Sequence, residues 1–216
     1  MRTSNIILLA LALVICATVT ALAVTIRVKV DHHSYTKLIP AEGDLTEVPL
    51  GTFSIIAVDN LNDVNIEQGS ENRIRLPKDK DRVPSYRLQG DTLKVWSEGR
   101  GTARFVVRDL RGLSLLHMGQ CNLTGIKGDS LVIRADGNGS TSLDSCDLGG
   151  LRLSGSWGPI ELTNSRFANL NIDTAGIVTL QNDHIGQIEG RWDEQGSLQI
   201  DAATLHNGIQ KIERIQ

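Results

Sequence analysis

DSLVIRADGNGSTSLDSCD (129–147), LGGLRLSGSWGPIELTNSR (148–166), FANLNIDTAGIVTLQNDH (167–184) and IGQIEGRWDEQGSLQIDAAT (185–204) follow one another as blocks of 19, 19, 18 and 20 residues. Written beneath one another, they place Leu131, Leu151, Leu170 and Ile188 in one column, with Ile133, Leu153 and Ile172 two places later. A second apolar column holds Leu143, Leu162, Leu180 and Ile200, and two positions beyond it stand Ser145, Asn164, Asn182 and Ala202. An earlier block begins at Leu113 with Leu115 and reaches Leu123 before Gly125. Each block holds two short apolar-polar-apolar strands separated by Gly, Asn, Ser or Asp, and no 3.6-residue period lies between them. One block alone cannot bury its apolar face, so neighbouring blocks must stack. Stacking sets like residues above like at the ~4.8 Å spacing of hydrogen-bonded strands. The Leu/Ile columns become internal ladders, and Ser145, Asn164 and Asn182 a polar ladder near a corner. The expected fold is all-β: a right-handed parallel β-helix with coils of about 18–20 residues.

A leucine-rich repeat is the competitor, because Leu148-x-x-Leu151-x-Leu153 and Phe167-x-x-Leu170-x-Ile172 fit its opening. Those repeats run about 20–29 residues and carry one strand plus a helix or 3₁₀ turn. Here a second strand occupies the return path, which favours the β-helix. Upstream, Phe53–Val58, Asp63–Ile66, Arg73–Leu76, Thr92–Val95 and Arg104–Val107 also read as strands, with turns at Gly69-Ser70, Pro77 and Gly90-Asp91. No Pro/Gly/Ser-rich linker precedes Leu113, so 51–216 reads as one domain.

Residues Ile6 to Ile26 form twenty-one residues without a charge, Pro or Gly. As a helix they would span roughly 30 Å, the thickness of a bilayer's hydrocarbon core. The expectation is an N-terminal transmembrane helix within residues 1–30, a polar stalk over 31–50, and the solenoid placed outside the cytoplasm, periplasmic or extracellular. The alternative is a signal peptide cleaved after Ala23, since Ala21-Leu22-Ala23 has the form of a processing site. The apolar run is longer than a usual signal-peptide core, which favours the retained anchor.

The net charge is −3 over 216 residues, and setting aside Arg2, Arg27 and Lys29 leaves residues 31–216 with 19 basic against 25 acidic side chains. Counterion release needs a basic surface, so nucleic acid is not an expected partner. Three cysteines without a CxxC pair exclude a disulfide scaffold and a cysteine-rich zinc site. Cys121 and Cys146 differ in phase, which disfavours a bridge between them. His32-His33 on an exposed linker makes a poor metal site without further ligands, and Asp136-Gly-Asn-Gly-Ser140 reads as a tight turn rather than a calcium loop. No cofactor is expected.

Many β-helix proteins cleave polysaccharides, and glycoside hydrolysis needs two carboxyl groups facing each other across the scissile bond. The aspartates of the repeats fall at scattered phases. Asp144 and Asp183 come nearest to a shared column, and they sit two coils apart. His117, His184 and His206 lack a partnered Ser or Cys in a recognisable motif. No catalytic residue is therefore assigned. Exposed indoles stack on sugar rings, which leaves Trp96, Trp157 and Trp192 as candidates. Trp157 and Trp192, both between strands, are the candidate ligand contacts, set against the plainer reading of corner packing.

The run Phe53-x-x-Ile56-x-Val58, then Val64-x-Ile66-x-Gln68-Gly69, then Gly90-x-x-Leu93-x-Val95, resembles the opening of the auto-transporter adhesin head domain, the GIN domain. The coil Ala135-Asp136-Gly137-Asn138-Gly139 is similar to that family's Gly-rich turns. The resemblance covers roughly residues 51–204, with one departure at Gly119-Gln120-Cys121, where Gln120 and Cys121 replace the usual small residue and Gly. It implies an envelope or surface protein, chiefly of the Bacteroidetes, without an established enzymatic activity. Together with the repeats, it leads to the expectation of a non-catalytic binding, adhesion or scaffold module with a glycan or envelope-protein ligand, tethered to a membrane through Ile6–Ile26. A carbohydrate-active enzyme and a passive surface-layer component are the alternatives.

Overall fold

The computed structural model describes residues 45–78, 83–156, 158–191, 196–207, 209 and 211–214, all within the compact unit Glu42–Gln216. The segment Ile6–Ile26, the processing site at Ala23, and Trp157 and Trp192 lie outside the described residues. Among the described residues no helix is long and apolar enough to cross a membrane.

The described chain is almost all-β, and its main feature is one curled parallel sheet. Four strands open it: β1 (Leu45–Pro49), β2 (Ile55–Gln68), β3 (Arg73–Pro77) and β4 (Ser85–Gln89), followed by the long β5 (Thr92–Val107). The repeats then contribute β6 (Gly112–Leu116), β8 (Lys127–Asp136), β10 (Asp147–Ser156), β12 (Arg166–Thr174), β14 (His184–Arg191) and β16 (Lys211–Arg214) to one flank of β2. The other flank carries β7 (Gln120–Thr124), β9 (Ser140–Asp144), β11 (Ile160–Thr163), β13 (Ile177–Gln181) and β15 (Ser197–Ile200). Successive strands thus alternate between two parallel ladders, as two strands per repeat require. The long strand β2 joins the ladders: Ile55–Asp59 pairs with β6, and Asp63–Glu67 pairs with β7.

The pairing confirms the sequence columns residue by residue. Leu131, Leu151, Leu170 and Ile188 are direct Cα partners, as are Ile133, Leu153 and Ile172. In the other ladder Leu143, Leu162, Leu180 and Ile200 stand in line. From Leu131 to Ile188 the first column is buried to 1% exposure or less, while its neighbour Val132 is 45% exposed. Alternation along a strand therefore sends one set of side chains into the core and the other to solvent.

Several details differ from expectation. The pairs Phe53–Val58 with Asp63–Ile66, and Thr92–Val95 with Arg104–Val107, are each fused into one strand, β2 and β5. Pairing shifts register near Leu61, so a bulge carries β2 through the bend that separate strands make elsewhere. Leu45–Pro49, expected in the stalk, pairs antiparallel with β3 and belongs to the folded unit; Arg75 there bonds Glu47 at 3.0 Å. Strand β4, also unanticipated, pairs antiparallel with β5. The strands β8, β10, β12 and β14 have eight to ten residues rather than three to five. Their pairing skips Gly149, Ala168 and Gly186 and resumes after them, so each strand continues past a bend. A Cβ on Gly149 would lie 2.6 Å from the Asp129 carbonyl oxygen, which explains glycine there.

Ala202 leaves the polar column altogether. Asp201 caps a short helix, Ala202–His206, by accepting the Thr204 backbone N–H at 2.7 Å. An N-cap carboxylate satisfies a donor that the first helical turn leaves open.

Candidate functional site

Among the described residues, polar or exposed groups gather at a corner, along a groove and on an outer face, among other places. The first is the corner after the second ladder. Gly125, Ser145, Asn164 and Asn182 have φ values of 66°, 56°, 52° and 55°. Asn tolerates this left-handed region better than most residues with a Cβ, and Gly is free to enter it. The Asn182 Nδ2 donates to Asn164 Oδ1 at 2.7 Å, and Asn164 Nδ2 donates to Asp144 Oδ1 at 3.2 Å. The polar ladder expected at this corner is present.

One residue inside that ladder, Cys146, Ser165, Asp183 and Thr204 occupy successive turns and face inward. All four are buried, and Asp183 has 0% exposure. The Asp183 oxygens accept the backbone N–H groups of Ser165 at 2.7 Å and Gln181 at 3.0 Å. The Asp183 N–H donates to Thr204 Oγ1 at 2.9 Å, and the Cys146 N–H donates to Ser165 Oγ at 3.0 Å. Burial pushes the Asp183 carboxyl up to about 6, although the Ser165 and Gln181 N–H groups pull the other way. Burial likewise pushes the Cys146 thiol up to about 11 and the Cys121 thiol further up. Both cysteines are free and have the buried, protonated character of inert thiols.

Asp144 and Asp183, the carboxylates nearest to a shared column, are therefore occupied in turn structure. Asp144 accepts from Asn164 and from Ser145 Oγ at 3.1 Å. Asp183 is committed to two backbone donors.

The second place is a shallow groove of about 520 Å³ along the start of β10, β12 and β14. Its rim carries Asp147, Arg166 and His184 as direct Cα partners. Gly149, Ala168 and Gly186 hollow it out, above the buried Phe167 and Ile185. His184, expected at a surface corner, is exposed there.

The third place is the outer face where β5, β2, β6 and β8 lie side by side. Trp96 is the partner of Asp59, Asp59 of Leu116, and Leu116 of Asp136. The row alternates with the inward Val95, Val58 and Leu115, so its side chains face solvent. Trp96 is 41% and Leu116 37% exposed. His117 Nδ1 lies 3.1 Å from Asp59 Oδ1, and Arg134 Nε lies 3.9 Å from Asp136 Oδ2. Two residues back along the strands, Lys94, Ala57, Ser114 and Arg134 form the adjoining row. Sequence reasoning named Trp96 but not this assembly, because the pairing of β5 with β2 falls outside the regular repeat. The signal that was available is the alternation Leu93-Lys94-Val95-Trp96, which already turns Trp96 to the face opposite the core. The structure leaves Trp157 itself outside its description, but Ser156 just before it is the partner of Asp136.

No family model matches the chain, and no curated protein matches it. Among solved structures the chain is similar to a "putative adhesin" from Parabacteroides distasonis ATCC 8503, at 16% identity and a TM-score of 0.59, over 72% of this chain and 71% of that one. A "putative lipid binding protein" from the same strain aligns at 14% identity and a TM-score of 0.44, over 80% of this chain and 96% of the other. A "putative adhesin" from Bacteroides fragilis NCTC 9343 aligns at 13% identity and a TM-score of 0.46, over 79% and 96%. At these identities the first of them bears on the fold alone.

Proposed function

We propose that the chain is a non-catalytic binding or adhesion module of the cell envelope, a right-handed parallel β-helix of the GIN type held at a membrane by Ile6–Ile26. The observation that carries the reading is the use made of Asp144 and Asp183, the two carboxylates of the repeats nearest to a shared column. Asp144 is hydrogen-bonded into its turn through Asn164, and Asp183 is buried on the Ser165 and Gln181 N–H groups, so the two are not presented together as an acid/base pair. What the repeats offer to the surroundings is instead an outward face of stacked polar rows on a rigid core. Repeat folds use such extended faces for recognition. The solved structure of similar fold from Parabacteroides distasonis is described as a "putative adhesin".

The test is a screen of the full chain against a glycan panel and against envelope preparations, read for both binding and turnover. Saturable binding without turnover is the expected result. Turnover abolished by a single Asp or Glu substitution would instead establish the carbohydrate-active enzyme. Neither binding nor turnover, with ordered arrays on the cell, would favour the surface-layer component. Membrane fractionation with N-terminal sequencing tests the anchor: a soluble protein beginning at Val24 would replace it by a cleaved signal.

A further inference from the structure

We propose that the outer face around Trp96 is the binding surface, and that it takes neutral pyranose units of an extended glycan. This inference rests on the reading of the chain as a binding module and assigns that module a site and a ligand chemistry. The indole of Trp96 is an exposed, flat apolar surface beside a polar row, an arrangement suited to the C–H face of a sugar ring. Asp59 stands on the neighbouring strand, and Asp136 two strands further along the same row. Ionised carboxylates only accept hydrogen bonds, and sugar hydroxyls donate them. The contact between His117 Nδ1 and Asp59 Oδ1 at 3.1 Å fixes one Asp59 oxygen and leaves the other for a ligand.

The adjoining row adds donors at its two sides, Lys94 and Arg134, with the small Ala57 and Ser114 between them. Small side chains there leave room for a ring to lie across the strands beside Leu116. At the ~4.8 Å spacing of paired strands, the three steps from Trp96 to Asp136 cover about 14 Å. That length holds more than one sugar ring, so the ligand is a chain rather than a monosaccharide. Asp59 and Asp136 flank the apolar ground on both sides of Leu116. Lys94 and Arg134 on the adjoining row offset these two carboxylates, so the face carries no net charge and suits a neutral sugar rather than an anionic one.

The experiment titrates the full chain, labelled with 5-fluorotryptophan, with cellohexaose, chitohexaose, mannohexaose and an oligogalacturonate of the same length. The Trp96 fluorine resonance is assigned by its loss in Trp96→Phe. The proposal expects a neutral hexasaccharide to move the Trp96 resonance and to bind at least tenfold more weakly to Trp96→Ala. It also expects a loss of severalfold in Asp59→Asn. Circular dichroism identical to the unaltered chain shows that the variants remain folded, and Trp96→Phe should retain part of the affinity. Binding of a neutral hexasaccharide that is unchanged in Trp96→Ala would overturn the site while leaving the binding-module reading in place. Preference for the oligogalacturonate would overturn the neutral class. Absence of binding by all four probes would overturn the inference as a whole, and the envelope-binding screen would then decide the broader reading separately.

Discussion

Replacing Leu170 by Asp tests the inward register at its best-defined point. Leu170 is 1% exposed and sits between Leu151 and Ile188 in the column that runs through β10, β12 and β14. Truncating a buried Leu costs about 2–5 kcal/mol, the spread depending on how far the site collapses. The Asp side chain adds a carboxyl group with no hydrogen-bond partner in an apolar column, worth a further ~1–3 kcal/mol even in its protonated form. A total of about 3–8 kcal/mol is a large share of the ~5–15 kcal/mol stability of an ordinary domain. One residue on, Asn171 faces outward between Arg152 and Glu189. In Asn171→Asp the new charge meets one partner of each sign on either side, so the net change should stay within about 0.5 kcal/mol. Urea unfolding of Leu170→Asp, Leu170→Ala and Asn171→Asp, followed by circular dichroism, gives the comparison. Leu170→Ala keeps it readable if the Asp variant is unfolded without urea. Equal losses from Leu170→Asp and Asn171→Asp, or a larger loss from Asn171→Asp, would refute the register.

Three further outcomes follow from the corners and the buried carboxyl. Ser145→Gly, at φ 56° on an exposed turn, should be neutral or stabilising by up to about 1 kcal/mol, measured by thermal unfolding. Asn164→Ala should cost about 1–2 kcal/mol in the same assay, since it loses both the left-handed tolerance and the contacts with Asp144 and Asn182. The Asp183 carboxyl, raised to about 6 from 3.8, binds more protons folded than unfolded between those values, so its contribution falls as pH rises through that window. Relative to Asp183→Asn, the unaltered chain should therefore lose on the order of 1–3 kcal/mol between pH 4 and pH 7 in denaturant titrations; a difference that grows with pH would show that the N–H bonds outweigh burial.

The repeat was legible because stacking makes each inward position a column of like residues, and Leu131, Leu151, Leu170 and Ile188 recur at nearly constant spacing. The polar corner was legible as a column too, though its left-handed backbone was not. That conformation becomes evident only when Asn164 and Asn182 are seen to share it with Gly125. The interior role of Asp183 was hidden because a lone charged residue reads as solvent-facing. Its column mates supply the missing signal: Cys146, Ser165 and Asp183 each stand three places beyond Leu143, Leu162 and Leu180. The fused strands β2 and β5, the edge strands β1 and β4, and the Asp201 cap lie before and after the regular repeats, where the repeat no longer constrains the pattern. The Trp96 face belongs to this same region, and the repeat alone could not assemble it.

The central claim, two parallel ladders advancing by one strand spacing per repeat, is tested most directly by distances between spin labels. With Cys16, Cys121 and Cys146 replaced, one label stays at Lys94 while the second moves from Ser154 to Asp173 to Arg191, all in one outward row. A second series keeps one label at Asn65 and moves the other from Glu161 to Thr179 to Gln199 along the other ladder. Pulsed electron spin resonance should show both series lengthening by about 4.8 Å per step. A first series that lengthens while the second does not would leave one strand per repeat, and would contradict the two-ladder architecture.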